Sequence, residues 1–247
     1  GGIRLHLRDR GPEGAPPILF LHGWSQSHMC WQAQLDSPLA ATHRLLALDL
    51  RGHGASDKPE DPAAYADGAL WARDIAAVIE TLGLHRPVLV GWSYAGRVIG
   101  EYLGVHGDGA LGGLMLAGAI PASGAARRDW MMGPDSPARM PGLVSLDQPR
   151  LIDATAAFVR ACTEAPLPQA IHDRFLAFNM LCPPHARRGL GIAEADTRPA
   201  YARVTCPAIV VHGERDRVVA PACAEEFARL MPHARLELWQ GIGHAPF

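Results

Sequence analysis

Three residues have the types and the chain order needed for nucleophilic catalysis by a serine. Ser93 lies in VGWSYAG, Asp216 in HGERD and His244 in GIGHAPF. A serine hydroxyl is a weak nucleophile until a histidine accepts its proton, and a carboxylate must orient that histidine. The order Ser, Asp, His is the one expected when the serine sits on a sharp turn between a strand and a helix. These residues therefore predict acyl-transfer chemistry.

Each of the three residues follows a short apolar run that is typical of a buried strand. The runs are 18–21, 45–48, 88–90, 114–116, 208–211 and 236–238. Helical patterns lie between them, most clearly over 70–82 and 221–230, and this alternation predicts a doubly wound α/β fold with a mostly parallel sheet. Because the carboxyl ends of parallel strands share one edge, we expect Ser93, Asp216 and His244 at that edge.

Two alternatives remain open at these residues. A serine before a helix is also a common N-cap, so the pattern around Ser93 decides little by itself. Glu214 lies two residues before Asp216 and could supply the carboxylate in its place. His244 is one of 12 histidines, so its type alone carries little weight. The combination is informative because each residue follows a predicted strand in the order that the turn requires.

Acyl transfer through a tetrahedral intermediate also needs hydrogen-bond donors for the oxyanion. The stretch FLHGWSQS follows the first apolar run, and its Gly23 allows another backbone segment to approach closely. We expect the backbone N–H groups of Trp24 and Tyr94 to be the two donors. His22 and His53 are interpreted as histidines that hold their loops and have no chemical role.

The composition excludes several classes of function. Its 23 basic and 25 acidic residues give a net charge of −2 without a long run of one sign, so we expect no nucleic-acid and no membrane partner. The five cysteines are scattered and lack C-x-x-C spacing, which predicts no zinc site, no disulfide framework and a cytoplasmic location. The chain has no phosphate-binding glycine loop and no metal-ligand spacing, so neither a metal nor a cofactor is predicted.

The alternation of strands and helices stops between about residues 121 and 204. This stretch combines prolines and arginines with helical patterns, which predicts a helical cap inserted into a core formed by residues 1–120 and 205–247. Such a cap would roof a pocket beside Ser93. The predicted substrate-binding residues are Trp24, Trp130, Met131, Phe158 and Phe178. These apolar residues could instead pack the cap onto the sheet.

The arginines of the insertion allow two interpretations. They could receive an acidic group of a substrate or a carrier protein, or they could lie in solvent. The residues concerned are Arg127, Arg128, Arg139, Arg187 and Arg188.

Nearly the whole chain resembles the α/β-hydrolase family. The motifs LHGWSQS, DLRGHGASDKP, GWSYAG, HGERD and GIGHAPF occur in the family's order. Within the family, the chain is similar to small serine esterases and to cofactor-free haloperoxidase-like (perhydrolase) enzymes. The resemblance implies that Ser93 is the nucleophile, Asp216 the acid and His244 the base. One departure is Ala95, which stands where the usual G-x-S-x-G turn has its second glycine.

These expectations combine into a serine hydrolase that cleaves carboxylic esters of small to medium apolar acyl or aryl substrates. The same residues would also serve perhydrolysis with apparent halogenation, lactone opening or hydrolysis of a carbon–carbon bond, because specificity lies in the roof of the pocket. A ligand receptor with slow turnover is an alternative of another class. The sequence leaves the oligomeric state open.

Overall fold

A seven-stranded sheet forms the centre of the computed structural model, which describes residues 2–247. The strands, in chain order, are β1 (Leu7–Arg10), β2 (Pro17–Leu21), β3 (Arg44–Leu48), β4 (Val88–Trp92), β5 (Gly113–Ala117), β6 (Ala122–Ser123), β7 (Ala195–Asp196), β8 (Ala208–Gly213) and β9 (Arg235–Trp239). The order in the main sheet is β1-β3-β2-β4-β5-β8-β9. Only β1 runs antiparallel to its neighbour in that sheet. The predicted mostly parallel α/β fold is confirmed.

Nine α-helices flank or cover the sheet within residues 2–247. They are α1 (Gln32–Leu35), α2 (Ala63–Ala66), α3 (Gly68–Thr81), α4 (Ala95–His106), α5 (Gln148–Ala161), α6 (Gln169–Met180), α7 (Pro184–Ile192), α8 (Arg198–Tyr201) and α9 (Ala222–Leu230). Six short 3-10 helices span His28–Trp31, Pro38–Ala41, Gly124–Ala126, Asp129–Met131, Pro137–Arg139 and Pro141–Val144.

The central strands are apolar on both faces, and four helices cover one of these faces. All five residues of β3 are buried, and so are four of the five residues of β4. On one face, α3, α4, α8 and α9 pack against one another in series. On the other face, Phe20 and Val90 line an apolar groove together with Trp31. The runs predicted as strands therefore correspond to strands, each extended by one or two residues where the backbone pairing continues.

Local signals fix where α3 begins and ends. The side chain of Asp67 accepts a hydrogen bond from the Ala69 N–H at the start of α3, which satisfies a donor left free in the first turn. Gly83 follows the end of the helix with a φ of 59°, a left-handed conformation that suits glycine. Because α3 packs along α4, it supports the helix that begins directly after Ser93.

The region between β5 and β8 contains four of the 3-10 helices, the helices α5 to α8 and a two-stranded ribbon. The ribbon pairs β6 with β7 and was not expected from the sequence, because each of its strands has only two residues. The predicted insertion ends at residue 204, whereas α8 packs against α4 of the sheet layer. There the Tyr201 hydroxyl donates a hydrogen bond to the Gly96 carbonyl. This last turn therefore lies with the helices of the core.

None of the helices formed by residues 2–247 has the length and apolar character needed to cross a bilayer. All five cysteines are buried and unpaired.

The two faces of the sheet predict different responses to truncation. Leu116 of β5 is fully buried, so Leu116→Ala should lower the free energy of unfolding by about 2–5 kcal/mol, because it removes apolar contacts and leaves a cavity. Ile209 of β8 is 40% exposed, so Ile209→Ala should lower it by about 1 kcal/mol or less. Urea denaturation of both variants measures the difference, and equal losses would contradict this description of the core.

Candidate active site

Ser93 lies at the tight turn between β4 and α4, with its backbone in a left-handed conformation. Its φ is 58°, which is uncommon for a residue with a side chain. Three hydrogen bonds hold the turn: the Ser93 N–H donates to the Ala117 carbonyl at 3.0 Å, and the Ser93 carbonyl accepts from the N–H groups of Gly96 and Ile120. The neighbouring strand end and helix start therefore hold this strained conformation in place.

The side chains of Ser93, His244 and Asp216 form one chain of hydrogen bonds. His244 Nε2 lies 2.8 Å from Ser93 Oγ, and His244 Nδ1 lies 2.7 Å from Asp216 Oδ2. The three residues follow β4, β9 and β8, so their convergence at one sheet edge agrees with the geometry expected from the sequence. Each of them is at least nine-tenths buried. With Nδ1–H donated to the carboxylate, Nε2 is free to accept the serine proton.

Asp216 keeps its negative charge although it is buried. Its Oδ1 accepts hydrogen bonds from the N–H groups of Val218 and Val219 at 2.8 and 2.9 Å. Its Oδ2 lies 2.9 Å from Nε2 of His212, a second histidine partner. Burial alone would raise the pKa of Asp216, but the charge of His244 and the hydrogen bonds from both histidines hold the pKa well below its usual range.

The structure separates the alternatives that the sequence left open. Glu214 is exposed to solvent, whereas Asp216 is the carboxylate that contacts His244. The N-cap of α4 is Tyr94, which makes no side-chain capping bond, and the Ser93 hydroxyl is paired with the imidazole. The methyl group of Ala95 fits because it faces Gly91: a Cβ atom at that glycine would still lie 3.4 Å from the Ala95 Cβ.

Two backbone N–H groups beside Ser93 have no acceptor among residues 2–247. They belong to Trp24 and Tyr94, the donors predicted for an oxyanion. Gly23 brings the Trp24 segment close, since a Cβ atom at position 23 would lie 3.0 Å from Ser93 Cβ. An oxyanion formed at Ser93 would therefore meet donors from two separate segments, which is the arrangement that stabilises tetrahedral intermediates.

Two buried histidines tie the segment that carries the Trp24 donor to the loop after β3. His22 Nε2 accepts from the Leu50 N–H at 3.1 Å, so its Nδ1–H donates to the Gly23 carbonyl. His53 Nε2 accepts from the Ser25 N–H at 3.2 Å, so its Nδ1–H donates to the Arg51 carbonyl. Burial lowers the pKa of His22 to about 4 and the pKa of His53 to about 3. Both rings therefore remain neutral at pH 7 and serve as fixed links between loops.

A cavity of about 380 Å³ opens beside Ser93. Core residues form one side of it and residues of the insertion form the other. Its apolar lining includes Trp24, Ile120, Met140, Val144, Leu190, Val218 and Val219. The size and the lining suit a small organic molecule.

Of the five predicted substrate-binding residues, only Trp24 lies on the cavity wall. Phe158 packs edge-on behind the Trp24 ring, with the ring centroids 5.8 Å apart, and Phe178 is buried against Phe175. Met131 is fully buried, and its carbonyl accepts the Ala220 N–H. Trp130 is 43% exposed at the surface. The side of the cavity formed by the insertion is lined by Met140, Val144 and Leu190. The four other predicted residues do not line it, because Met131, Phe158 and Phe178 are buried in packing and Trp130 lies at the surface.

Two residues of the site were missed by sequence reasoning. His212 supports Asp216 from the end of β8, and Trp92 donates its Nε1–H to the His244 carbonyl at 2.8 Å. The sequence could have indicated the role of His212, because it lies four residues before Asp216. A tight turn after the end of β8 at Gly213 can bring these two side chains together. Trp92 gave no signal, because its partner lies 152 positions away.

One other cluster has the residue types of a metal site. His6, His28 and Asp49 place ligand atoms within 4.8 Å of one another. Asp49 already accepts hydrogen bonds from the N–H groups of His28 and Ala55 and from the His28 ring. Its oxygens are thus committed to holding the loop after β3. These hydrogen bonds give Asp49 a structural role. The three residues lie far apart in the sequence and come together only in the folded chain, so they form no metal-ligand spacing in the sequence.

The fold and the site define a hydrolase of the α/β type, and comparison agrees. Residues 18–247 match the alpha/beta hydrolase family, and the chain belongs to this family. Within it, the chain is esterase- and haloperoxidase-like, since its relatives include an esterase/perhydrolase, non-heme haloperoxidases and esterases.

Three similar proteins illustrate this range. An esterase from Rhodococcus sp. ECU1013 is 36% identical, with a TM-score of 0.93 over 100% of this chain and 90% of that one. A putative aryl esterase from Burkholderia cenocepacia is 30% identical, with a TM-score of 0.93 over 100% of this chain and 89% of that one. A bifunctional esterase/perhydrolase from Acinetobacter calcoaceticus is 27% identical over 98% of this chain and 90% of its own length.

The neutral buried histidines predict a loss of stability in acid. Because folding lowers the pKa of His22 from 6.5 to about 4, the unfolded chain binds more protons than the folded chain below pH 6.5. The stability is therefore fully present above about pH 6.5, and it declines as the pH falls toward 4, by about 3 kcal/mol for this residue. Urea titrations between pH 7 and pH 4 should show a shallower decline in His22→Gln than in the parent protein.

His85→Gln is the matched control for that experiment, because it removes an exposed imidazole outside the site. It should keep the decline of the parent protein. A decline in His22→Gln as steep as that of His85→Gln would contradict the assignment of a buried neutral imidazole at position 22.

Proposed function

We propose that this protein is a serine hydrolase that cleaves carboxylic esters through a Ser93, His244 and Asp216 triad. The observation that carries the proposal is the unbroken hydrogen-bond chain from Asp216 Oδ2 through His244 to Ser93 Oγ, at 2.7 and 2.8 Å. The family membership and the esterases among its relatives support the same reaction class. The apolar cavity supports small to medium acyl or aryl groups as substrates.

The first half of the proposed reaction forms an acyl-enzyme. His244 Nε2 accepts the proton of Ser93 while Oγ attacks the ester carbonyl and forms a tetrahedral oxyanion. The N–H groups of Trp24 and Tyr94 donate to that oxygen, and the Asp216 carboxylate stabilises the imidazolium. Collapse of the intermediate breaks the bond to the alkoxy oxygen, which leaves as an alcohol with the proton from His244.

The second half returns the enzyme to its starting state. His244 accepts a proton from water, whose oxygen attacks the acyl carbonyl, and the same donors hold the second oxyanion. Collapse breaks the bond to Ser93 Oγ, which regains a proton from His244, and the acid leaves. The residues between β5 and β8 act in this proposal as a cap, since Met140, Val144 and Leu190 enclose the acyl or aryl group opposite the sheet.

Replacement of the nucleophile tests the proposal. Ser93→Ala should lower kcat for p-nitrophenyl acetate or butyrate by about ten-thousandfold or more, because no acyl-enzyme can form. It should also abolish labelling by a fluorophosphonate probe. Release of p-nitrophenolate and gel fluorescence provide the two measurements.

Ser136→Ala is the matched control, because Ser136 is a buried serine on the wall of the same cavity and makes no side-chain hydrogen bond among residues 2–247. This variant should keep its labelling and most of its turnover. Retention of parental esterase activity in Ser93→Ala would refute the triad. Rapid labelling without multiple turnover would instead favour the ligand receptor.

Perhydrolysis is the second candidate, and the likeness to an esterase/perhydrolase supports it. In this reaction hydrogen peroxide replaces water as the acceptor, so the acyl-enzyme yields a peracid while the first half of the reaction is unchanged. The partition depends on how the two acceptors reach the acyl carbonyl, and hydrolysis remains the first proposal because water needs no additional site.

Competition between the acceptors measures this partition. With p-nitrophenyl acetate and increasing hydrogen peroxide, we expect peracetic acid to form faster than in an enzyme-free blank, while Ser93→Ala forms it no faster than the blank. A monochlorodimedone bromination assay detects the peracid. Peracid formation above the blank in Ser93→Ala would exclude an acyl-enzyme as its source.

A further inference from the structure

The cavity beside Ser93 is cationic. The charged side chains on its wall are Arg127 and Arg187, and no Asp or Glu is among its lining residues. Neither arginine makes an ion pair with a carboxylate within 4.0 Å among residues 2–247. Burying a charge without a counter-charge is unfavourable, and neutral apolar esters would offer neither arginine a counter-charge.

Arg187 contributes a buried positive charge to the back of the cavity. It is fully buried, and its guanidinium lies over the Trp24 ring, 5.4 Å from the centroid. Its hydrogen bonds go to neutral acceptors: the carbonyls of Leu143, Cys182 and Asn179 and the hydroxyl of Thr155. These bonds use four of its five N–H groups and join α5, α6 and α7. Arg187 therefore holds the cap together while its net charge remains unpaired.

Arg127 is the arginine that is available to a ligand. Its side chain is half-buried on the cavity wall and has no hydrogen-bond partner among residues 2–247. Burial and the nearby Arg139 cation lower the pKa of Arg127, so its surroundings lack the negative charge that normally accompanies a guanidinium. Its neighbour Arg128 is exposed and does not line the cavity. An anion in the cavity would supply the missing acceptor, since a guanidinium binds a carboxylate through two parallel hydrogen bonds.

We propose that the preferred esters carry a carboxylate remote from the scissile ester, as in the monoesters of short dicarboxylic acids, and that Arg127 binds this carboxylate. This inference rests on the proposed function, because it names the substrate class of the same site. Arg187 adds attraction through its charge, and the apolar residues of the wall contact the carbon chain between the two ends. A hydrogen bond to a charged group contributes about tenfold to hundredfold in selectivity.

Matched substrate pairs test the charge preference. The monoethyl esters of succinate, glutarate and adipate are compared with the corresponding ester amides, in which a neutral carboxamide replaces the carboxylate. We expect the parent enzyme to prefer at least one monoester by about tenfold or more in kcat/KM at low ionic strength, and the preference to shrink in 0.5 M NaCl. A ratio of one or less at all three lengths would overturn the proposal.

Adjacent arginines provide the variant and its control. Arg127→Gln should lower kcat/KM for the preferred monoester by about tenfold more than for its ester amide, Arg127→Lys should restore part of the preference, and Arg128→Gln should keep it. An equal loss on both substrates in Arg127→Gln would overturn the proposal, because it would mean that Arg127 acts only on the structure of the wall.

Binding to Ser93→Ala protein separates this inference from the proposed function. Calorimetry should show tighter binding of the monoester than of its ester amide, and the difference should disappear when Arg127→Gln is added. Charge-selective binding in an inactive parent enzyme would refute the esterase and leave the anion subsite standing. If the parent enzyme hydrolyses esters but Ser93→Ala binds the monoester and the ester amide equally, the anion subsite is refuted and the proposed esterase function is retained.

Discussion

A buried carboxylate, Asp216, is the constraint on which the rest of the site depends. A charge taken out of water is retained only when nearby groups replace its hydration. Here two backbone N–H groups, His244 and His212 provide that replacement. The loop after β8 must turn back to present both N–H groups, and the loop after β9 must bring His244 to the opposite oxygen. Much of the geometry at this edge of the sheet follows from satisfying one negative charge.

The strained backbone at Ser93 depends on the same edge. A left-handed serine is unfavourable by itself, so its carbonyl and its N–H are tied to α4, to β5 and to the segment after β5. The close approach of the Gly23 segment then sets two backbone donors beside the hydroxyl. The buried rings of His22 and His53 fix that segment without carrying charge, because their burial disfavours protonation. Strain, donors and neutral links thus form one arrangement around the Ser93 hydroxyl.

Arg187, in the region between β5 and β8, has both a packing role and an electrostatic role. Arg187 binds carbonyls at the end of α6, where the partial negative charge of a helix C-terminus offsets part of its positive charge. Full compensation would require a carboxylate, and none lies on the cavity wall. The remaining positive potential therefore acts on whatever occupies the cavity. The subsite proposed for an anionic substrate thus depends on the same bonds that hold α5, α6 and α7 together.

The sequence by itself determined six of the seven strands of the main sheet, the order of Ser93, Asp216 and His244, and their common edge, whereas the antiparallel β1 was not predicted. These features depend on local periodicity and on the rule that parallel strands end together, so they can be deduced without coordinates. The choice of Asp216 over Glu214 needed the structure, because residues two positions apart in a loop differ only in where the turn directs them. The backbone N–H groups of Tyr94 and Trp24 could be selected as candidate oxyanion donors from the sequence, because Tyr94 follows the serine of the turn and Trp24 follows β2.

Only the tertiary structure decided which cap residues line the cavity. Trp130, Met131, Phe158 and Phe178 have the composition of a pocket, yet the first is exposed and the others are buried in packing. A helical stretch with weak periodicity does not reveal which of its faces meets the sheet, since that depends on contacts with residues far away in the chain, as between Phe158 and Trp24. For the same reason, Arg187 was indistinguishable in the sequence from solvent-exposed arginines, and folding buried it against Trp24.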